Sequence, residues 1–317
     1  MRYFIIFLSL LVPWNILAAE TDQLTCRVKA CGCEKSLLDL NDSVSIVDNW
    51  INDQIRFAVE NSDSNTDIVS SIAWNLNGWF ALFFPTVERW ALFGSNRLDL
   101  FQLLFGTVYE DASFNEMKGG AYFPLYPTLK AKGILLGVDK VGHFFAQGWD
   151  YISHYREIKA QGVLTEEEAL EEVKKAGVQS EEGYLGLTMG GIFSYADLSA
   201  NWQGFQFYRD LTTGDNSFLQ KDEAGKWKIR RPFKFEEYVV DNFDEVLTPN
   251  VFLRKSLTKK VHRKLTNHCH AYRQDPNTFL NLTGRWLDTK TYLPKEELLR
   301  KRFQNAKKHT MPEVCKN

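Results

Sequence analysis

The chain has 317 residues, of which 44% are hydrophobic and 25% are charged, and its formal net charge is −2 at pH 7. These proportions are ordinary for a globular protein with a substantial core, and they exclude a disordered chain. Aromatic residues make up 14% of the sequence, and many of them fall between Trp74 and Phe105. The high aromatic content is therefore concentrated in one stretch of the chain, and the role of that stretch has to explain it.

The first 19 residues have the three-part layout of a cleavable signal peptide. Arg2 supplies a positive charge, Tyr3–Val12 is an almost unbroken apolar run, and the small residues Ala18 and Ala19 precede Glu20. The apolar run is short for a membrane span, which makes an uncleaved anchor the less favoured alternative. The sequence therefore predicts export, to the periplasm or the outer-envelope surface of a bacterium.

The five cysteines of the chain are Cys26, Cys31, Cys33, Cys269 and Cys315. In an oxidising compartment, four of them can form two disulfides and one is left over. Cys31 and Cys33 are too close for an easy bridge to each other, so we expect the N-terminal cysteines to be bridged to the C-terminal segment. The alternative is a zinc site that adds His268 and His270, but this spacing matches no standard zinc motif.

After the signal peptide, the sequence predicts three segments. Residues 20–69 form a cysteine-bearing lead and one helix, residues 70–212 form a helical core with an Asp/His helix and a Gly-rich helix, and residues 213–317 add a loop and a basic helical region packed on that core. The predicted fold class is mainly α. We expect a multi-helix globular domain with irregular Gly- and aromatic-rich loops and a small β-hairpin or loop around residues 222–226.

The aromatic-rich stretch, residues 70–105, contains the run Trp79–Phe84, which Pro85 and later charged residues interrupt. It therefore lacks the roughly 18 consecutive apolar residues of a membrane-spanning helix. One interpretation is a buried helical hairpin, which is favoured because aromatic side chains dominate many protein cores. The other is a surface that dips into a membrane interface, where Trp and Phe rings beside charged residues are typical.

Residues 254–308 carry fifteen Lys or Arg residues and four Asp or Glu residues, which gives this region a net charge of +11. A basic region can contact anionic lipid, nucleic acid or an acidic part of its own protein. Export makes nucleic acid an unexpected partner, so we expect none. The remaining interpretations are the solvated faces of amphipathic helices and a contact with a membrane surface or another envelope component.

A helix is predicted from about Asp139 to Lys159, with Gly162 as its stop signal. At about 100° per residue, its polar residues Asp139, His143, Asp150 and His154 share a stripe about 60° wide. A carboxylate and an imidazole spaced four apart can chelate one divalent ion, or the carboxylate can orient the histidine as a general base. Because eleven residues rise about 16 Å, the two pairs cannot bind the same ion.

A second helix is predicted from Ser180 to about Leu211, and its many glycines suggest close backbone approach to a neighbour. Its face would carry Glu182, Asp197 and Asn201. Two facing helices that carry carboxylates and a histidine can build a metal site. The candidate metal ligands are therefore Asp139, His143, Glu182 and Asp197, the candidate catalytic residues are His143, Asp139 and Lys140, and the supporting polar residues are Asp150, His154 and Asn201.

Asp139-Lys140-Val141-Gly142-His143-Phe144 resembles the Asp-Lys-x-x-His-Phe helix of small bacterial periplasmic proteins and lipoproteins, and faintly the VanZ-like membrane family. The resemblance covers about ten residues. This chain is far larger than those proteins, and it lacks the several spanning helices of VanZ-like proteins. The resemblance implies an envelope location and a role for Asp139, Lys140 and His143, but no established activity.

Two hypotheses follow for function. The first is a non-catalytic envelope protein, structural or binding in role and peripheral to a membrane, in which the Asp/His residues form a satisfied polar network that fixes helix packing. The second is a hydrolase that acts on an envelope component through a divalent metal ion or a general base. The first ranks higher because the sequence contains no complete catalytic motif.

Overall fold

The computed structural model describes residues 21–28, 33, 35–78, 85–103, 107–109, 125–183, 185–188, 190–280 and 282–316. The predicted signal peptide, Cys31 and the run Trp79–Phe84 lie outside these residues. Within the described ranges, no helix is both long enough and apolar enough to cross a membrane.

The prediction of a mainly α fold is confirmed. The longer helices are α1 (Val44–Glu60), α2 (Ile68–Asn77), α5 (Gly148–Gln161), α6 (Glu166–Glu182), α7 (Tyr195–Asp210), α8 (Lys255–Gln274) and α11 (Glu297–Lys307). The shorter ones are α3 (Thr86–Arg89), α4 (Val138–Gly142), α9 (Pro276–Leu280), α10 (Thr289–Tyr292) and α12 (Met311–Val314). Two π-helical segments, Trp90–Gly94 and His143–Gln147, follow α3 and α4 directly, and 3₁₀ turns occupy Leu37–Asp39, Phe235–Glu237 and Asp241–Phe243.

The strands form three small antiparallel pairs. They are β1 (Thr128–Ala131) with β2 (Ile134–Gly137), β3 (Ile192–Ser194) with β6 (Asn250–Phe252), and β4 (Leu219–Lys221) with β5 (Trp227–Ile229). The β4–β5 hairpin turns at the predicted place, because Asp222 accepts backbone N–H bonds from Ala224 and Lys226, and Gly225 adopts a positive φ of 77°. The expected small hairpin is therefore present.

Local sequence signals place several helix ends. Thr165 and Glu168 form the reciprocal capping box that starts α6, and Gly162 ends α5 in the left-handed conformation. In α1, the buried residues Val47, Ile51 and Ile55 repeat at intervals of four and face the core. These elements form because their caps and apolar spacing agree with each other.

The long Gly-rich helix predicted from Ser180 to Leu211 is wrong. Instead, α6 continues to Glu182, the described residues 183, 185–188, 190 and 191 are not helical, and α7 begins only after strand β3. Gly191 has a positive φ of 73°, which a helix cannot contain, and the Ser194 side chain accepts the backbone N–H of Asp197 to cap α7. The glycines therefore make a turn as well as a packing surface.

Close backbone approach, which the glycines predicted, does occur between α5 and α7. A Cβ added to Gly204 would lie 1.7 Å from the carbonyl oxygen of Phe144, and one added to Gly148 would lie 2.6 Å from the Cα of Gly204. Any larger residue at either position would force the two helices apart. The main hydrophobic cluster extends from this contact and draws residues from all three predicted segments.

The disulfides join Cys26 to Cys33 and Cys269 to Cys315. The expected bridges between the two ends of the chain are therefore wrong, since each group of cysteines pairs within itself. The zinc alternative is also wrong for Cys269, because its sulfur is in a disulfide. A buried ion pair of Arg27 with Asp244 joins the N-terminal segment to the C-terminal part of the chain instead.

Candidate functional site

Lys140 lies at the centre of a buried charge cluster. Its side chain is 0% exposed, and Nζ lies 2.5 Å from Oδ2 of Asp139, 2.6 Å from Oδ1 of Asp197 and 2.5 Å from Oε1 of Glu245. Asp139 and Lys140 are on α4, Asp197 is on the first turn of α7, and Glu245 follows the 3₁₀ turn at residues 241–243. Three separate parts of the chain therefore supply the carboxylates of the Lys140 cluster.

The backbone before α4 makes room for this cluster. Strand β2 ends at Gly137, where an added Cβ would lie 1.9 Å from Oδ1 of Asp139 and 2.0 Å from Oγ1 of Thr21. The Thr21 hydroxyl donates a 2.8 Å hydrogen bond to the same Asp139 oxygen. Only glycine at position 137 lets the N-terminal segment reach Asp139.

His143 lies at the edge of the Lys140 cluster, with 11% of its side chain exposed. Its Nε2 lies 3.3 Å from Oδ2 of Asp197, and its Nδ1 lies 3.0 Å from Oδ1 of Asn201, one turn further along α7. Both ring nitrogens thus face oxygen atoms. Both nitrogens are thus engaged in polar contacts within the protein, which disfavours general-base work by this imidazole.

Glu181, rather than the predicted Glu182, lies against the cluster. Glu181 is 1% exposed and accepts the backbone N–H of Ser194 at 2.9 Å, whereas Glu182 forms a surface ion pair with Arg302. Adjacent residues on a helix point about 100° apart, so only one of the two glutamates can face the core. Burial, with repulsion from Asp197, raises the pKa of Glu181 well above its ordinary value.

A periodic signal for Glu181 was present in the sequence. Ala169, Val173, Gly177 and Glu181 follow at intervals of four, and all four are buried on one side of α6. The predicted start of a separate helix at Ser180 hid this signal, because it divided Gly177 from Glu181. Gly177 does not end the helix. An added Cβ there would lie 1.7 Å from the hydroxyl of Tyr151, so the glycine makes room for that ring.

A second carboxylic acid that sequence reasoning missed is Glu88, on α3. Its Oε2 accepts a 2.8 Å hydrogen bond from the Tyr126 hydroxyl, and Gly142 leaves the space that its other oxygen occupies. Burial is the main cause that raises the pKa of Glu88 from 4.5 to about 8, and the charge of Asp139 adds to it. In the sequence, Glu88 was only a charged interruption of the aromatic-rich stretch.

Asp150 and His154 do not join the Lys140 cluster. Asp150 is exposed and His154 is half-buried, both on α5. The predicted stripe assumed a regular α-helix, but the π-helical segment His143–Gln147 lies between the two Asp/His pairs. A π-turn holds more residues than an α-turn, so it rotates the second pair away from the first.

Asp139, Asp197 and Glu245 are the strongest metal-ligand candidates in the described part of the chain, since they offer oxygen atoms that all lie within 4.8 Å of one another. Such oxygens suit a hard cation such as Mg²⁺, Ca²⁺ or Mn²⁺. However, the Lys140 ammonium is in contact with all three carboxylates, so an ion would compete with it for the same oxygens. As arranged here, the residues fit an ammonium better than a resident divalent ion.

Comparison of the chain with protein-family models, with curated proteins and with solved structures returns no match in any of the three. The resemblance of Asp139–Phe144 to periplasmic proteins and lipoproteins therefore stays a prediction. Evidence on function comes from the geometry of the cluster and from the surface around it.

Proposed function

We propose that this protein is an exported protein of the cell envelope, with a structural or binding role, which lies on a membrane surface as a peripheral protein. The observation that carries the proposal is a group of exposed aromatic rings. The exposed fractions are 57% for Phe57, 57% for Trp74 and 77% for Phe93. Large apolar side chains exposed together mark interaction surfaces.

The elements that carry these rings lie side by side. Helices α1 and α2 are in contact where the Asn75 side chain donates to the carbonyl oxygen of Gln54 at 3.3 Å. Trp50 of α1 stacks on Trp90 of the first π-helical segment, with ring centroids 4.6 Å apart. Phe57 lies two turns after Trp50, Trp74 precedes Asn75, and Phe93 lies three residues after Trp90. We call Trp50, Phe57, Trp74, Trp90 and Phe93 the aromatic face.

The composition of the aromatic face fits a lipid interface. Trp and Phe insert into the boundary between head groups and acyl chains, and the exposed Arg89 and Arg97 beside the face can contact anionic head groups. In helix α2, Ile72 and Leu76 are buried in the core, whereas Trp74 is exposed and available for such a contact. The two disulfides support export to an oxidising compartment.

The Lys140 cluster supports a non-catalytic role. The ammonium of Lys140 is in contact with three carboxylates, and both nitrogens of His143 face oxygens, so neither side chain offers a free reactive atom. A buried cluster of this kind holds α4, α7 and the segment around Glu245 in one arrangement. The binding function is therefore assigned to the surface.

Vesicle co-sedimentation tests the proposal. The wild-type protein should sediment with vesicles that contain anionic lipid, and Trp74→Ser with Phe93→Ser should weaken binding about tenfold or more, since each buried ring contributes about 1.5–3 kcal/mol. Val163→Ser is the matched control, because Val163 is 79% exposed between α5 and α6 and belongs neither to the aromatic face nor to the basic region at residues 254–308. Failure of the wild-type protein to bind any vesicle, or an equal loss in the control, would contradict the proposal.

The second candidate function is a hydrolase that acts on an envelope component. One observation favours it, the convergence of Asp139, Asp197 and Glu245 beside the partly exposed His143. Metal analysis of the protein after export, with His143→Ala as the comparison, distinguishes the two functions. A stoichiometric divalent ion in the wild-type protein would favour the hydrolase, and its absence from both proteins would rule out the metal-dependent form.

A further inference from the structure

A cavity of about 30 Å³ is lined in part by Glu245, while Lys140 is not among the residues that line it. Glu245 links the two sites, because its Oε1 meets Lys140 and its Oε2 accepts a 3.1 Å hydrogen bond from the Tyr109 hydroxyl. Most of the cavity wall is apolar, and this part consists of Leu24, Val108, Val246, Phe252, Val261 and Leu265. The space holds roughly two water molecules or a group of about four heavy atoms.

Three buried polar atoms on the cavity-lining residues have no hydrogen-bond partner among the residues that the structure describes. They are Nε2 of Gln23, Oδ1 of Asn250 and Nδ1 of His309. Gln23 is 1% exposed and Asn250 is 7% exposed, so bulk water does not satisfy them. Buried polar atoms are rarely left unpaired in native proteins, which points to a bound molecule.

The neighbouring hydrogen bonds define which chemical groups the cavity presents. The Gln23 Oε1 atom accepts the backbone N–H of Glu245 at 2.8 Å, so the free end of this amide is its N–H₂ donor. The Asn250 Nδ2 atom donates to the Tyr109 hydroxyl at 3.3 Å, so the free end of that amide is its acceptor oxygen. The cavity therefore offers one hydrogen-bond donor, from Gln23, and one acceptor, from Asn250.

The charges around the cavity further restrict the chemical class of ligand that it can bind. The carboxylate of Glu245, with those of Asp139 and Asp197 behind it, repels anions. Burial, helped by the neighbouring His262 and Lys308, lowers the pKa of His309, so this side adds no charge near neutral pH. A neutral group with one acceptor, one donor and a small apolar part fits these surroundings.

We infer that the cavity binds an acetamido group, with its carbonyl oxygen on Gln23, its N–H on Asn250 and its methyl group against the apolar wall. The group can belong to a free small amide or to a larger N-acetylated molecule. This inference does not depend on the proposed contact with a membrane, because the aromatic face and the cavity share no residues.

Titration of the isotopically labelled protein with acetamide, followed by amide chemical shifts, tests the inference. We expect saturable shifts at residues around the cavity and a dissociation constant in the millimolar range, since so few atoms supply little binding energy. A second titration uses N-acetylglucosamine in the presence of acetamide. Competition with acetamide would identify a pendant acetamido group, and no competition would identify a free small amide.

Two variants change the cavity in different ways, one through a polar group and one through its volume. Gln23→Glu keeps the acceptor for the Glu245 N–H but removes the donor, and Val261→Leu fills the space without altering a polar group. Each should weaken acetamide binding about tenfold or more, while Gln220→Glu, an exposed matched control on β4, should bind as the wild type does. Thermal melts check that each variant is folded.

Three results would overturn the inference. The first is the absence of saturable shifts at about 100 mM acetamide, well above a millimolar dissociation constant. The second is unchanged binding in both cavity variants. The third is a high-resolution crystal structure in which ordered water alone bridges Gln23 and Asn250 and is not displaced by acetamide.

Discussion

Arg27 and Lys140 are both fully buried cations, yet the balance of charge around them differs. Arg27 meets one carboxylate, that of Asp244, through two nitrogens, and its remaining N–H groups reach the carbonyl oxygens of Gln23, Phe279 and Leu280. Lys140 meets three carboxylates. The Arg27 site is thus balanced in charge and complete in hydrogen bonds, whereas the Lys140 cluster has a surplus of negative charge.

The difference draws attention to the carboxylic acids that surround the Lys140 cluster. The neighbouring carboxylic acids Glu88 and Glu181, whose pKa values are raised chiefly by burial, lie beside the Lys140 cluster. Protons held by these neighbours therefore bear on the Lys140 cluster. At the Arg27 site burial likewise raises the pKa of Asp244, and the charge of Arg27 opposes that shift.

The largest expected effect comes from removing each cation in turn. Lys140→Met leaves three buried carboxylates without their cation and should lower the free energy of unfolding by about 4 kcal/mol or more at pH 7. Arg27→Met should cost about 3 kcal/mol, because it leaves only one carboxylate unpaired. Urea unfolding of both variants measures the difference.

The exposed Lys228, which pairs with Asp222 on the β4–β5 hairpin, supplies the control. Lys228→Met should leave the free energy of unfolding nearly unchanged, since exposed ion pairs contribute little. If Arg27→Met lowered the free energy of unfolding as much as Lys140→Met, the surplus negative charge at the Lys140 cluster would not explain the stability effects of the two variants.

An intermediate effect is expected for Glu88→Gln. In the folded protein the pKa of Glu88 is raised to about 8, compared with its ordinary value of 4.5, so the folded state holds a proton that the unfolded chain has released between these values. Its contribution to stability is therefore complete below about pH 4.5 and is lost as the pH rises through 8. Glutamine does not titrate, so the variant should gain about 2.5 kcal/mol relative to the wild type between about pH 5 and pH 7.

Denaturant unfolding at several pH values measures this change. Glu172→Gln, at an exposed position on α6, is the matched control and should follow the wild-type curve. Parallel curves for Glu88→Gln and the wild type would show that Glu88 is not the group that makes stability depend on pH.

The smallest effect is expected for Thr21→Val. Valine keeps the shape of threonine but removes the hydrogen bond to Asp139, and the expected loss is about 1 kcal/mol of unfolding free energy. Thr66→Val, which removes an exposed bond to Asp63, is the comparison and should cost less. An equal cost at both positions would mean that the charge of the Lys140 cluster does not strengthen the bond of Thr21.

Part of the site could be predicted from the sequence because it depends on local spacing. Asp139 and His143 lie one turn apart, and so do Asp197 and Asn201; the structure brings these two pairs together. The fold class was predictable for the same reason, since caps and apolar periodicity are local. Glu182 was named in place of Glu181 because a second helix was predicted to start at Ser180, whereas these residues end α6.

The other features of the site depend on tertiary contacts, and these contacts produce no local pattern in the sequence. Glu245 follows a 3₁₀ turn far along the chain, so neither spacing nor periodicity connects it with Lys140. The π-helical segment His143–Gln147 has no capping signal that separates it from an α-helix, yet it removes Asp150 from the predicted stripe. The pairing of the cysteines likewise depends on tertiary structure, because cysteine spacing alone does not determine connectivity.

The hydrogen bonds of Arg27 to Phe279 and Leu280 span 252 and 253 positions of the sequence. Contacts of such high order are slow to form, because a long loop of chain must close before they contribute any stability. The N-terminal segment cannot bury its guanidinium until nearly the whole polypeptide has been synthesised. Folding is therefore completed late in synthesis, and the chain passes through a period in which it is not yet fully folded.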